Sequence, residues 1–341
     1  MSEPVIPFSD EQLRLLINLE QQYEVWIEAE RRLAVLPYGM RWKKSAGREY
    51  LYEIRDRVGN GKCIGLRSPE TEARLADYRQ HRQEADNRRD GSADRLAESG
   101  RLYRALRLPM IPSEAAAILR EADRRSLLGS HLLVVGTNAM AAYAIEAAGR
   151  FDAPDETEDF DLSWVAPASA TPQDDAAGVP IWDMLHAVDA TYTVNSERPF
   201  QARNAKAYEV EILIAPSRVG GLGRRDRPRP HSLPEQEWLL NGTIVSRTVV
   251  ARDGSPARLV VPDPRWFALQ KLWMAAQDKR NPLKRPKDAR QGMVLLDVVA
   301  DAMPHFPLDS AFEASLPPEL ETHYAAWTAT RAGKPPTSRG W

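Results

Sequence analysis

Apolar residues recur at helical spacing in some stretches of the chain and in short continuous runs in others, and this alternation lays out the elements. Over residues 9–36, Leu13, Leu16, Leu19 and Tyr23 fall three or four apart, the stripe of an amphipathic helix. Ser9 stands at its start with Gln12 three residues on, the spacing of a capping box, and Pro37 and Gly39 stop it. Residues 50–56 and 62–68 read as two strands around Val58-Gly59-Asn60-Gly61, a hairpin signal. Pro69 then opens a highly charged helical stretch to about Leu108, with Asp90-Gly91 marking a break. A solvated helical hairpin is expected there. Its acids and bases are interspersed, which argues against a nucleic-acid-binding arm.

Beyond Pro109 and Pro112 the pattern changes. Ser113 is placed to cap a helix running to about Leu128, and residues 131–135 (HLLVV) form a short buried strand. Gly136-Thr137 leads into an alanine-rich helix ending near Gly149. Residues 159–165 and 208–214 read as a second and third strand, with a helix over 181–190 between them. Strand, helix, strand, helix, strand describes a compact α/β unit. Residues 217–230 read as a flexible basic loop, with Gly220, Gly221 and Gly223 followed by Arg224, Arg225, Arg227 and Arg229. Residues 243–250 and 258–261 flank Asp253-Gly254 as a hairpin. Helices are expected over 266–279, 287–302 and 318–331, ahead of a frayed tail, GKPPTSRGW. The fold class is α/β (α+β), divided at 1–110, 111–262 and 263–341. No internal repeat is visible.

Composition narrows the functional classes. With 43% hydrophobic residues in 341, the chain has the apolar content for a real core. A net charge of −2 predicts no global attraction to DNA or membrane, although local basic patches remain open. Cys63 is the single cysteine, so no intrachain disulfide or cysteine-based zinc site can form. The start, MSEPVIPFSDEQL, has no basic run followed by an apolar one, and no stretch approaches the ~20 apolar residues of a membrane span. A cytoplasmic location without membrane association is the expectation. His81, His131, His186, His231, His305 and His323 are scattered without metal-ligand spacing.

The candidate chemistry lies in acids. Asp159 and Asp161 sit two apart in a predicted strand, so both carboxylates face the same way, ~6–7 Å apart along it. Two like charges on one face repel, and a divalent cation offsets that repulsion. Mg²⁺ takes one or two carboxylates plus waters and phosphate oxygens, and a metal pair can clamp both oxygens of a phosphoryl transfer. Glu211, between Val210 and Ile212, supplies a third acid on another strand, with Glu209 on the same face as the competing candidate. An acid inside an apolar strand is costly unless paired or metal-bound. Gly136-Thr137 sits between a strand and a helix, where backbone N–H groups and the Thr137 hydroxyl can meet a phosphate. The turn is neither a P-loop nor a GxGxxG fingerprint.

In these motifs the sequence resembles a known superfamily. Gly136-Thr137 followed by Ala139 and Tyr143, then TEDFDL, then VEIL, is similar to the nucleotidyltransferase (DNA polymerase β-like) superfamily, which carries hG[ST], DhD and a third acid on a central strand. A closer resemblance is to the bacterial nucleotidyltransferase-like family with an N-terminal accessory region, here GREYLYEIRD and IGLRSPETEARL. PDPRWFALQKL and KRPKDARQGMVLL resemble its C-terminal helical part, so the likeness spans roughly residues 40–300. The nucleotidyltransferase toxins of toxin–antitoxin systems are more distant relatives. The resemblance implies a small mixed-sheet nucleotidyltransferase core at 111–262, an N-terminal α/β accessory region and a C-terminal helical region. It implies Mg²⁺ (or Mn²⁺) held by Asp159, Asp161 and Glu211. It places an NTP at Gly136, Thr137, Lys271, Lys287 and Asp288, with RNA, protein or a small molecule as hydroxyl acceptor. The chain departs from the family's pattern with Gln270 where His is usual, with Glu211 where Asp is common, and with a longer gap from Gly136 to Asp159.

Each residue also has a plainer role open to it. Lys271 can snorkel from an apolar helix, Lys287-Asp288 can simply occupy a first helical turn, and Thr137 can be only a cap. Trp42 and Tyr50 read as core. Two other functions stay open: a catalytically degenerate nucleotide-binding module, and a toxin or defence effector that modifies tRNA, with the Arg224–Arg229 run and Lys271/Lys287 as an acceptor groove.

Overall fold

The computed structural model describes residues 5–153, 159–167, 181–221 and 227–332. Helix α1 is Asp10–Val35, and its capping box forms as the sequence predicts: Ser9 N donates to Gln12 Oε1 at 2.9 Å, and Gln12 N to Ser9 Oγ at 3.3 Å. A three-stranded antiparallel sheet follows, β1 (Gly39–Ser45), β2 (Arg48–Ile54) and β3 (Gly61–Leu66). The hairpin of β2 and β3 was legible; β1, reading GMRWKKS, hid its apolar positions among charges.

Helix α2 runs unbroken from Pro69 to Ala105, so one helix stands where a hairpin was expected. Its buried residues explain why. Leu75, Tyr78, Ala85, Ser92, Leu96, Ser99 and Tyr103 recur in step across Asp90-Gly91, and this stripe packs on the three-stranded sheet at its start and along α1 further on. Gly91 costs only ~1 kcal/mol in a helix, less than the packing that continues on either side of it. Leu19, Tyr23, Ile27, Leu96 and Tyr103 form the core between the two helices, and Leu51, Leu75 and Tyr78 a small one beneath the sheet.

Helix α3 (Ser113–Arg124) begins the larger core. Ser113 is its first residue rather than its cap, and its hydroxyl accepts from Asp253 N. Strand β4 (Leu132–Val135) leads through a 3₁₀ turn at Thr137–Ala139 into the short α4 (Met140–Glu146). Next come β5 (Asp159–Trp164), α5 (Ile181–Val188), β6 (Gln201–Arg203) and β7 (Glu209–Ile214). These strands form a mixed sheet in the order β4-β5-β7-β6, with Thr193–Val194 beyond β6 and His231–Ser232 paired to the end of β7. β4 and β5 are antiparallel, β5 and β7 parallel, β6 and β7 antiparallel. The expected loop at 217–230 opens with a 3₁₀ turn, Pro216–Gly221, while Gly223, Arg224 and Arg225 lie outside the described residues, as do Thr157 and the tail.

The hairpin of β8 (Val245–Ala251) and β9 (Pro256–Val261) forms around Asp253-Gly254, where Gly254 takes a φ of 93°. Helices α6 (Pro264–Ala276), α7 (Arg285–Ala302), a short α8 (Ser310–Ala314) and α9 (Pro318–Ala332) close the chain. Their apolar faces join the core of the mixed sheet: Phe267, Leu269, Leu295 and Leu320 are buried with Phe160, Val210 and Ile212. The fold is α+β. No helix among the described residues is long and apolar enough to cross a membrane.

Candidate active site

Strand alternation creates the site. In β5, Phe160 and Leu162 point into the core, which leaves Asp159 and Asp161 together on the open face. In β7, Val210, Ile212 and Ile214 are fully buried, which puts Glu209 and Glu211 on that same face. The two strands are parallel and in register, with Asp159 opposite Glu209 and Asp161 opposite Glu211. Four carboxylates thus share one patch, each like-charged pair directly across a ladder, an arrangement that destabilises a sheet unless something neutralises it.

The next strand separates the two glutamates. Gln201 stands opposite Glu211 and Arg203 opposite Glu209. Arg203 forms an ion pair with Glu209, so that acid is neutralised by the protein itself. The buried Gln201 donates to Glu209 at 2.7 Å and to Glu211 at 3.2 Å. No ion pair from a described residue reaches Glu211. Burial first, and then the charges of Asp161 and Asp159, push its carboxyl up to about 7, against the pull of Lys284 and Arg198. Asp161 is raised as well, by burial and by repulsion from Asp159, opposed by Lys271, Lys284 and Arg280.

Gly136 sits against this patch. Its φ of 72° and ψ of −160° belong to a region open essentially to glycine, and a Cβ there would lie 2.0 Å from Asp161 Oδ2. The glycine is required by the carboxylate as much as by any phosphate. Thr137 is buried, makes no capping bond and receives the side-chain amide of Gln291 from α7 at 3.4 Å. The element after Gly136 is a 3₁₀ turn and seven residues of helix, so the dipole support expected for an anion is small. Asn138 donates to the backbone carbonyl of Asp159 at 3.1 Å and fixes the start of β5.

The C-terminal helices bring cations to the acids. Lys271 does not snorkel: it is buried, and its Nζ lies 3.0 Å from Asp288 Oδ1 in the first turn of α7. Asp288 also receives Arg280 at 2.8 Å. Lys284, just before α7, reaches Asp159 Oδ2 at 3.4 Å. Lys287 is half-buried in the same turn. Arg280, Lys284, Gln201 and Arg203 were not singled out from the sequence. The run Lys284-Arg285-Pro286-Lys287 shows charge, but only the packing of α6 and α7 reveals which side chains face the acids.

Among the described residues, no three acid, histidine or cysteine side chains converge closely enough to enclose an ion. Gln201 engages Glu211 and Lys284 engages Asp159. The donor set still fits a hard divalent cation: carboxylate oxygens on one face, with Asp161 making no hydrogen bond or ion pair to a described residue. An open groove of about 700 Å³ between α1 and α2, lined by Asn18, Gln22, Arg88 and Arg95, lies away from these acids and gathers no comparable chemistry.

A family model described as nucleotidyltransferase matches residues 113–317, well over half of the chain, and covers every residue of the site from Gly136 to Asp288. No curated protein and no solved structure matches the chain. The chain belongs to the nucleotidyltransferase family and is a nucleotidyltransferase.

Proposed function

We propose that the chain transfers a nucleoside monophosphate from an NTP to a hydroxyl group, with Mg²⁺ (or Mn²⁺) held by Asp159, Asp161 and Glu211. Nucleotidyltransferases act on NTPs and generally use divalent metals. The observation that carries the reading is the register of β5 and β7, which sets Asp161 beside Glu211 with no cation of the described residues paired to either. The metal supplies positive charge where the transferred phosphoryl group and departing pyrophosphate become more negative. Asp159 and Asp161 provide hard oxygen donors on one face. Glu211 helps to position the metal and is placed to accept the proton of the attacking hydroxyl. Lys271, Arg280, Lys284 and Lys287 face the triphosphate, and Asp288 positions Lys271 and Arg280 by bonding both. Gly136 and Thr137 border the phosphates. Residues 1–110 act as an accessory region, 111–262 as the transferase core, and 263–341 as the helical part that brings these cations over it.

Binding of Mn²⁺ in the presence of NTP, followed by the loss of its free-ion magnetic resonance signal, tests the ligand set. Asp161→Asn removes a ligand and should weaken it by at least the ~10- to 100-fold that loss of an outer-shell partner costs. Equal affinity in wild type and variant would remove Asp161 from the site.

A further inference from the structure

The three-stranded sheet of β1, β2 and β3 presents one covered face and one open face. Glu49 and Glu53 form ion pairs with Arg67 and Arg74, and Leu51 packs with Leu75 and Tyr78, so odd-numbered positions of β2 face α2. Arg48, Tyr50 and Tyr52 therefore face away. Across the ladder, Lys43 pairs with Tyr50 and Arg41 with Tyr52, which puts both cations on that same open face. Lys43 Nζ lies 4.7 Å from the centre of the Tyr52 ring. Among the described residues, α2 is the element that packs on this sheet, and it covers the other side.

The charge of this region departs from that of the chain. Residues 38–66 carry seven lysines and arginines against three acids, in a protein whose net charge is −2. Of the three acids, Glu49 and Glu53 turn towards α2, and Asp56, in the turn after β2, accepts from Gly59 N, Asn60 N and the Asn60 side chain. At the far end of β1 and β2, Tyr38, Arg41, Arg57 and the hydrogen-bonded Asp56 line a shallow cavity of about 210 Å³. The face thus offers two half-buried aromatic rings flanked by cations.

We infer that this face binds single-stranded RNA, the acceptor of the transfer reaction. The identity of the acceptor rests on the proposed function above; the binding itself does not. Stacking on tyrosine requires bases that are not already stacked in a duplex, and the loops and ends of RNA present them. The flanking cations meet the phosphates between those bases. The sheet shares no strand with the sheet of the acids and joins the rest of the fold through α1 and α2. Near the end of α1, Arg31 reaches Asp123 at the close of α3, from which β4 crosses the core to Gly136. The sheet lies further out along α2. Summed along α1 and β4 at ~1.5 Å per helical and ~3.3 Å per strand residue, the path from the sheet to the acids is at most on the order of 30 Å, a length that a bound single strand can cover.

Fluorescence anisotropy of a labelled single-stranded RNA of about 20 nucleotides, with the full chain and without metal or NTP, tests the inference. Tyr50→Ala and Tyr52→Ala should each weaken binding by roughly 5- to 100-fold. Tyr50→Phe/Tyr52→Phe, which keeps the rings, should bind as wild type. Arg41→Gln and Lys43→Gln should each lower the slope of log affinity against log salt by about 0.7. Wild type that does not bind RNA, alanine variants that bind unchanged, or phenylalanine variants that lose binding would each overturn the inference. So would binding to phosphatidylserine vesicles that the alanine variants abolish while RNA binding persists, which would make the face a membrane contact. Because no metal or NTP is present, RNA binding by a chain inactive in every transfer assay would refute the proposed function and leave this site standing.

Discussion

Gly136→Ala separates the geometry of the acids from the stability of the fold. At φ 72° and ψ −160° an alanine is strained by ~1–3 kcal/mol. Its Cβ would also lie 2.0 Å from Asp161 Oδ2 and 2.9 Å from Asp161 Cγ, well inside contact distance, so the carboxylate must move by about 1 Å or more. A displacement of that size at a reacting centre lowers turnover on the order of 10²-fold. Gly129→Ala is the matched control. Gly129 has a φ of 81°, so it shares the backbone strain, but its added Cβ meets only Ile244 and Val260 at 3.5 and 3.6 Å. Initial rates of pyrophosphate release, measured beside urea unfolding, should show both variants destabilised and only Gly136→Ala slowed about 100-fold. Equal rates in the two variants would refute the argument that Gly136 is there to seat Asp161.

Three further perturbations test other parts of the account. Glu211 has its carboxyl raised from 4.5 to about 7, so its contribution to stability without metal is complete below about pH 4.5 and is lost as pH rises through 7. Discounted for partial solvent screening, the loss is ~1–2 kcal/mol. Urea melts at about pH 5 and pH 8 should show a larger difference in wild type than in Glu211→Gln, which keeps the raised Asp161, and an equal difference in the two would assign the effect to another group. Lys271→Met leaves Asp288 buried with Arg280 as its remaining partner and should cost ~3–5 kcal/mol, whereas Lys271→Met/Asp288→Leu should recover most of that in the same melts. Gly91→Ala adds a Cβ into open space in the middle of α2 and should stabilise by ~1 kcal/mol; a destabilised variant would contradict a continuous helix there.

Local signals were legible in the sequence where one segment carries the whole pattern. The capping box at Ser9, the turn at Asp253-Gly254 and the two aspartates on one side of β5 each follow from spacing alone. What depended on a distant partner was not legible. Period-two alternation placed Glu209 and Glu211 on one face but could not choose between them; Arg203, on the neighbouring strand, neutralises one and leaves the other. Lys271 sits among Leu269, Leu272 and Trp273, which leaves a snorkelling side chain and a phosphate contact equally open, and its acid lies on the next helix. Asp90-Gly91 read as a break because glycine lowers helix propensity, a local effect that packing against α1 outweighs. The open face of the N-terminal sheet escaped notice because β1 was not recognised, and Tyr50 without its neighbours looks like core.

The most direct test is label transfer from each of the four α-³²P NTPs into RNA, protein or a small-molecule pool, with and without Mg²⁺, by wild type and Asp161→Asn. The account predicts Mg²⁺-dependent transfer by wild type that falls about 100-fold or more in Asp161→Asn, with no loss of thermal stability, since the substitution removes a buried, repelled charge. Transfer by Asp161→Asn at the wild-type rate would contradict it.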